Sequence, residues 1–274
     1  LTATNTVSSG IPASIDTAID SAHSSWHAIL RTGLAAISAA DPHYLTALES
    51  SHFLPTEGRI FAAFKQPLDQ VDYVLVGEGP YPRATSATGV CFMDGAVASL
   101  WSERGLSKAV NRATSLRNFM KMLLVADERL AADNTGGEAM VDIALHAQTD
   151  NSGVIQSLQD LQEGLTAHGF LLLNASLVFR PEVAPRKDAL AWRPFLQTVL
   201  DALRRHAADK KRAPPTLVLW GKVAEELQSL PGVAEFPQAV SEHPYNLSFI
   251  RNAGMQKLFG ALNLLKSAQN RAPK

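Results

Sequence analysis

One cysteine, Cys91, stands in 274 residues, so the chain builds neither an intrachain disulfide nor a zinc or iron-sulfur site on four cysteines of its own. That scarcity favours an intracellular, cytoplasmic setting. Long apolar runs are also missing: no stretch approaches the roughly 18 uninterrupted apolar residues of a membrane span. The start, Leu1 to Pro12, lacks a basic region followed by an apolar segment, so neither export nor membrane insertion is indicated. Charge is sparse as well, at 19% charged residues and a net charge of -1, which by itself gives no support to nucleic-acid binding. A Walker phosphate loop is absent, and Gly77-Glu78-Gly79 lacks the third glycine of a dinucleotide fingerprint.

What is present is an apolar fraction of 46%, enough at this length for one large core. A single domain over residues 21–267 is expected, with a loosely attached Ser/Thr/Ala-rich segment at 1–20 and a frayed tail at 268–274. Charge is unevenly spread, because residues 180–274 hold 15 basic and 8 acidic side chains while residues 1–72 hold 3 and 7. A local basic face is one reading of that third, and ordinary solvated surface is the other.

Short apolar runs at Tyr73 to Val76, Phe170 to Leu173 and Thr216 to Trp220 end at Gly77, Asn174 and Gly221; a weaker fourth run is Gln238 to Ser241. Continuous apolar runs of this length suit strands covered on both faces, as in a parallel sheet. Between them lie helical stripes: Trp26, Leu30 and Leu34; Leu116, Phe119, Met120, Leu123 and Leu124; Trp192, Phe195, Leu196, Val199 and Leu203; and Met255, Leu258, Phe259, Leu262 and Leu265. Alternating strands and helices predict an α/β fold, a three-layer α/β/α sandwich on a central, mostly parallel four-stranded sheet. Ligands of such sheets bind beyond the carboxyl ends of the strands. Three strand ends deliver chemically useful groups there: Gly77-Glu78-Gly79-Pro80-Tyr81, Asn174, and His243-Pro244.

Those segments carry a family resemblance. Val71 to Tyr81, followed by Gly89-Val90-Cys91-Phe92, resembles the water-activating and base-stacking region of the main, ung-type uracil-DNA glycosylases. Thr114 to Asn118 resembles their serine-containing DNA-backbone loop, Leu171 to Ala175 their uracil-recognition strand, and Leu217 to Gly221 a structural strand. His243-Pro244-Tyr245-Asn246-Leu247-Ser248, followed by Arg251, resembles their catalytic-histidine and DNA-intercalation loop. The five matches stand in family order and span about Phe53 to Lys266.

The resemblance implies a DNA repair protein that recognises a flipped uracil or related damaged base and hydrolyses its N-glycosidic bond, with no metal and no cofactor. Its partner would be uracil-containing DNA, its state monomeric, and it would have no membrane association. Base-binding residues would be Glu78, Tyr81, Phe92 and Asn174. An amide such as Asn174 offers donor and acceptor together, as reading the carbonyl and N–H edge of uracil requires. Phe92 would stack on the base, and Tyr81 would fill the space near C5 and exclude the thymine methyl. His243 would donate a hydrogen bond to uracil O2 as charge builds on the leaving base. Leu247 would fill the gap left in the stack, while Ser115, Ser248 and Arg251 contact the DNA backbone. Ser86, Thr88, Arg180 and Arg186 are weaker candidates of the same kind.

Several positions depart from the family pattern. Gly79 stands where an aspartate is usual, Pro82 where a histidine is usual, and Tyr245-Asn246 where a serine-proline pair is usual; the proline-rich run before the serine loop is missing. Gly79 is therefore expected to contribute only backbone, or a place for water. The alternative is a catalytically impaired or altered-specificity nucleobase-binding or DNA-binding homologue.

Overall fold

The structure is a computed structural model that describes residues 10–270. Among the described residues six strands form: β1 (Tyr73–Gly77), β2 (Trp101–Ser102), β3 (Gly105–Leu106), β4 (Phe170–Asn174), β5 (Thr216–Trp220) and β6 (Gln238–Ser241). Four of them make the central sheet in the order β4-β1-β5-β6, every neighbouring pair parallel, and β2 with β3 forms a separate antiparallel ladder.

Alternate residues of the sheet enter two different cores. Val74, Val76, Leu171, Leu173, Leu217 and Leu219 pack on one face with α1 (Ala13–Ala18), α2 (His27–Ala40), α3 (Tyr44–Glu49), α8 (Pro185–Asp209) and α9 (Lys222–Gln228). Leu75, Phe170, Leu172, Val218 and Trp220 pack on the other with α4 (Lys108–Arg112), α5 (Thr114–Ala126), α6 (Val141–Ala147), α7 (Leu158–Ala167) and α10 (Ala253–Gly260). Burial of each large apolar side chain contributes about 1.5–3 kcal/mol, so both faces reward apolar residues and the strands read as continuous runs. The result is the expected α/β/α sandwich.

Two expectations about the chain's edges change. Ala13–Ala18 is helical, and Ile15 and Ile19 are buried in the first core, so the loosely attached start does not extend over these residues. The rest of that expectation, residues 1–9, and positions 271–274 of the expected tail lie outside the described residues. The last helical stripe also stops early: α10 ends at Gly260, and Leu264 and Leu265 reach the core from the turns beyond it. Among the described residues no helix is long and apolar enough to cross a membrane.

The order of the strands creates the site. From β1 the chain crosses to β4 on one side, then returns past β1 to β5 and β6 on the other. Loops leaving β1 therefore diverge from those leaving its neighbours, and a crevice opens at the carboxyl ends.

Candidate active site

All four sheet strands contribute their carboxyl ends to a cavity of about 590 Å³, within the range of small-molecule sites. Glu78, Gly79 and Tyr81 enter from β1, Asn174 from β4, Trp220 and Lys222 from β5, and Glu242 and His243 from β6; Phe92 and Ser115 close the wall. Eight of the residues singled out in the sequence thus meet: Glu78, Gly79, Tyr81, Phe92, Ser115 and Asn174, together with His243 and Thr88.

The parallel register sets the first contact. Gly77 pairs with Asn174, and beyond the strands the Ala175 and Ser176 N–H groups donate to Gly77 O and Glu78 O at 2.7 and 3.1 Å. Gly77 has no room for a side chain, since a Cβ there would lie 2.5 Å from Cys91 Sγ and 3.0 Å from Asn174 Oδ1. Asn174 is only 5% exposed, and no side-chain hydrogen bond satisfies its amide among the described residues. Such an amide facing a cavity has a donor and an acceptor to offer a polar edge.

Phe92 sits at φ 67°, a left-handed conformation that bulky residues rarely adopt. Its ring stands edge-on to Phe119 and Trp220, each at 5.3 Å between centroids. Thr88 shapes the preceding turn by donating to Val90 O and Met93 O, and the Cys91 N–H hangs the segment on Leu172 O of β4. Burial pushes the Cys91 thiol up to about 12, against a backbone hydrogen bond to Gly77. Cys91 is consequently a neutral packing group. Burial also raises the Tyr81 hydroxyl, with Cys91 and Asp94 adding to the shift, so Tyr81 faces the cavity uncharged.

His243 is held by its neighbours. Gly221, at φ 58°, brings the end of β5 so close that a Cβ there would lie 2.9 Å from His243 Cβ. The Tyr245 N–H donates to His243 Nδ1 at 3.1 Å, which assigns the neutral ring proton to Nε2. Desolvation lowers the histidine pKa, opposed by the nearby Glu78 carboxylate. The ring is therefore a neutral N–H donor across the ordinary physiological range.

Beneath this loop lies a residue whose importance the sequence did not reveal. Asn118, fully buried on α5, donates from Nδ2 to Pro244 O at 2.7 Å, Tyr245 O at 3.2 Å and Asn246 O at 3.4 Å. Its partners are 126–128 positions away, so no local pattern marks the contact. Glu242 accepts from Asn252 Nδ2 at 2.9 Å; burial opposes its charged form, but hydrogen bonds from Ser248 and Asn252 outweigh that and lower its pKa. Trp220, at the end of β5, and Lys222, at the start of α9, line the cavity too, although the sequence pointed only to the strand.

The remaining DNA-contact candidates, weaker and stronger, separate. Ser86 is fully buried with no hydrogen-bond partner for its hydroxyl among the described residues, which removes it from any DNA surface. Arg180 forms a 2.6 Å ion pair with buried Asp188 and lies over the Tyr44 ring, so it is a packing group. Arg251 donates from Nε to Ala132 O at 2.9 Å, outside the cavity, and Leu247 projects from the histidine loop with 68% exposure. Arg186 lines a neighbouring groove of about 500 Å³ that shares Glu78, Lys222 and Val223 with the main cavity.

The basic last third does not gather at the cavity. Arg204 pairs with Glu235, Arg212 with Asp72, and Lys210 with Asp69. The cavity's charged lining is instead Glu78, Glu242 and Lys222. Among the described residues, no group of three His, Cys, Asp or Glu side chains is placed to hold a metal ion.

No protein-family model matches the chain. The wild-type UNG crystal structure from Nitratifractor salsuginis superposes with a TM-score of 0.81 at 35% identity, covering 92% of this chain and 96% of that one. Curated relatives named uracil-DNA glycosylase include that of Corynebacterium glutamicum, 27% identical over 90% of this chain and 89% of the relative. That of Streptococcus mutans is 25% identical, with 92% and 97% covered.

Proposed function

The chain belongs to the uracil-DNA glycosylase family, and from that premise we propose that it excises uracil from DNA at the cavity between the four strand ends. The observation that carries this reading is the meeting of a cavity-facing amide, Asn174, an edge-braced ring, Phe92, and a neutral histidine, His243, around one cavity.

An extruded uracil presents a carbonyl and an adjacent N–H on one edge, which the Asn174 amide matches with its own donor and acceptor. Phe92 offers a face for stacking, and Tyr81 occupies the side on which thymine carries its methyl. As the bond between uracil N1 and sugar C1′ breaks, the electron pair leaves with the base and positive character develops on the sugar. His243 donates from Nε2 to the uracil oxygen that receives the negative charge, without giving up its proton. Water then bonds to C1′ and releases its proton to solvent or to the departing uracil anion, leaving an abasic sugar and free uracil.

Gly79 offers no carboxylate for the water step. Glu78 and Glu242 both line the cavity; Glu242 is engaged by Asn252, which leaves Glu78, beside His243, as the carboxylate we assign to the developing positive charge. The absent aspartate favours a second reading, a nucleobase-binding homologue with impaired hydrolysis. We further take the protein to act as a monomer in the cytoplasm. Among the described residues its exposed large apolar side chains lie on four separate segments, at Leu145, Leu190, Val240 and the Tyr245–Leu247 loop.

The test is release of uracil from single-stranded and duplex oligonucleotides by the wild-type chain and by His243→Ala and Asn174→Ala. Release that falls at least about 100-fold in both variants supports excision at this site, on the scale of removing one charge-stabilising donor. Binding that prefers uracil over thymine DNA, without release, selects the second reading. Absence of both release and preference refutes the nucleobase site.

A further inference from the structure

We propose that Tyr245 forms a stacking subsite for the nucleobase next to the extruded one, giving this chain its grip on single-stranded DNA. The inference rests on the uracil-excision reading of the same cavity. It starts from a side chain whose exposure nothing in the fold explains.

Among the described residues five large apolar or aromatic side chains are exposed, and two of them, Tyr245 at 67% and Leu247 at 68%, are separated by one residue on the histidine loop. Tyr245 also lines the cavity. Its backbone is fixed on both sides, because its N–H donates to His243 Nδ1 and its carbonyl accepts from Asn118 Nδ2. Asn118 holds the carbonyls of Pro244 and Asn246 as well. An exposed ring on an anchored backbone is a preorganised contact surface, which costs little ordering when a partner arrives.

The charge around it points to a partner recognised by its π-face. The cavity presents two carboxylates, Glu78 and Glu242, against Lys222, and desolvation keeps His243 neutral. Of the arginines in the last third, Arg180, Arg204 and Arg212 are held in ion pairs and Arg251 by a backbone carbonyl, while Arg186 and Arg193 line the neighbouring groove rather than the cavity. With one lysine against two carboxylates in its lining, the cavity itself attracts phosphates weakly, whereas stacking of a base on an aromatic ring needs no net charge. Spacing agrees with the assignment. If Leu247 fills the gap left by the extruded base, a ring rooted two residues earlier lies at most about 7 Å along the chain. Bases in a stack repeat at about 3.4 Å. A neighbouring base is within its reach.

The experiment uses the full chain and single-stranded oligonucleotides carrying a hydrolysis-resistant 2′-fluorinated uracil nucleotide, with 2-aminopurine placed on either side of it. Binding is expected to quench 2-aminopurine on one side, with quenching lost in Tyr245→Ala and kept in Tyr245→Phe. On cleavable single-stranded substrate, kcat/KM is expected to fall about 5- to 150-fold in Tyr245→Ala, the range of one lost base–aromatic stack. Tyr245→Phe should restore it, and the loss on duplex should be smaller because the neighbouring base is already paired and stacked. An unchanged quench and unchanged kcat/KM in Tyr245→Ala would overturn the proposal. So would equal losses in Tyr245→Phe, which would assign the contact to the hydroxyl. Because the quench is read on an uncleaved oligonucleotide, it decides the stacking question even if the wild-type chain releases no uracil, an outcome that counts against the excision reading alone.

Discussion

Replacing Asn118 by alanine removes the single amide that anchors the histidine loop. The amide has two hydrogens for three carbonyls. One serves Pro244 O at 2.7 Å, and the other is divided between Tyr245 O at 3.2 Å and Asn246 O at 3.4 Å. A buried acceptor left unmet costs about 1–3 kcal/mol, so one full bond and one divided bond together hold the loop by about 2 kcal/mol. If that energy sets the population with His243 in place, kcat/KM for uracil release falls about 30-fold. The acid limb of the pH profile should also rise toward the ordinary histidine range, because a loosened loop withdraws the Tyr245 N–H from Nδ1 and admits water. Asn118→Asp keeps the size but turns an acceptor toward three carbonyl oxygens, so its loss should exceed that of alanine. Uracil release, measured alongside denaturant unfolding, decides the matter. Activity of Asn118→Ala within about twofold of wild type, or an Asn118→Asp variant as active as wild type, would refute the anchoring role.

Three further outcomes are expected. Because His243 is depressed below its usual value and Glu78 acts against that shift, the ring stays neutral above its lowered pKa and activity is lost only as pH falls through it. Glu78→Gln removes the opposing charge, so the acid limb of kcat/KM should move to lower pH; movement upward would contradict the assignment. Gly79→Asp should raise kcat by about tenfold or more, approaching the roughly 100-fold lower end of general-base assistance. A Cβ at Gly79 meets only Ser176 atoms at 3.7–3.8 Å, so an unchanged or lower rate would show that the added carboxylate does not serve the water step. Arg180→Ala should destabilise the fold by about 3–5 kcal/mol in denaturant unfolding, since it strands buried Asp188 without its partner. Activity per folded molecule should hold, whereas a raised KM at unchanged stability would return Arg180 to the DNA surface.

Much of the scaffold was legible because its signals are local. The runs at Tyr73 to Val76, Phe170 to Leu173 and Thr216 to Trp220 are apolar throughout because both faces of the sheet are covered, and each ends where the chain begins to line the cavity. The three stripes beginning at Trp26, Leu116 and Trp192 mark buried helix faces for the same reason. Ser86 and Arg180 misled for a complementary reason: a hydroxyl or a guanidinium carries no mark of its burial. Only folding set Ser86 in the interior and brought Asp188 and the Tyr44 ring against Arg180.

Residue type settled which groups were available: an amide at a strand end, a histidine before a proline, a glycine in place of a carboxylate. Types and order along the chain are enough for that, since hydrogen-bonding capacity and side-chain size belong to the residue. Protonation, anchoring and field were settled by the fold. His243 carries its proton on Nε2 because the Tyr245 N–H meets Nδ1, its loop is held by an amide 126–128 positions away, and Arg204 and Arg212 of the basic third are drawn into ion pairs away from the cavity. Each of these depends on distances between residues remote in sequence, and such distances exist only once the strands are ordered β4-β1-β5-β6 and their carboxyl ends converge.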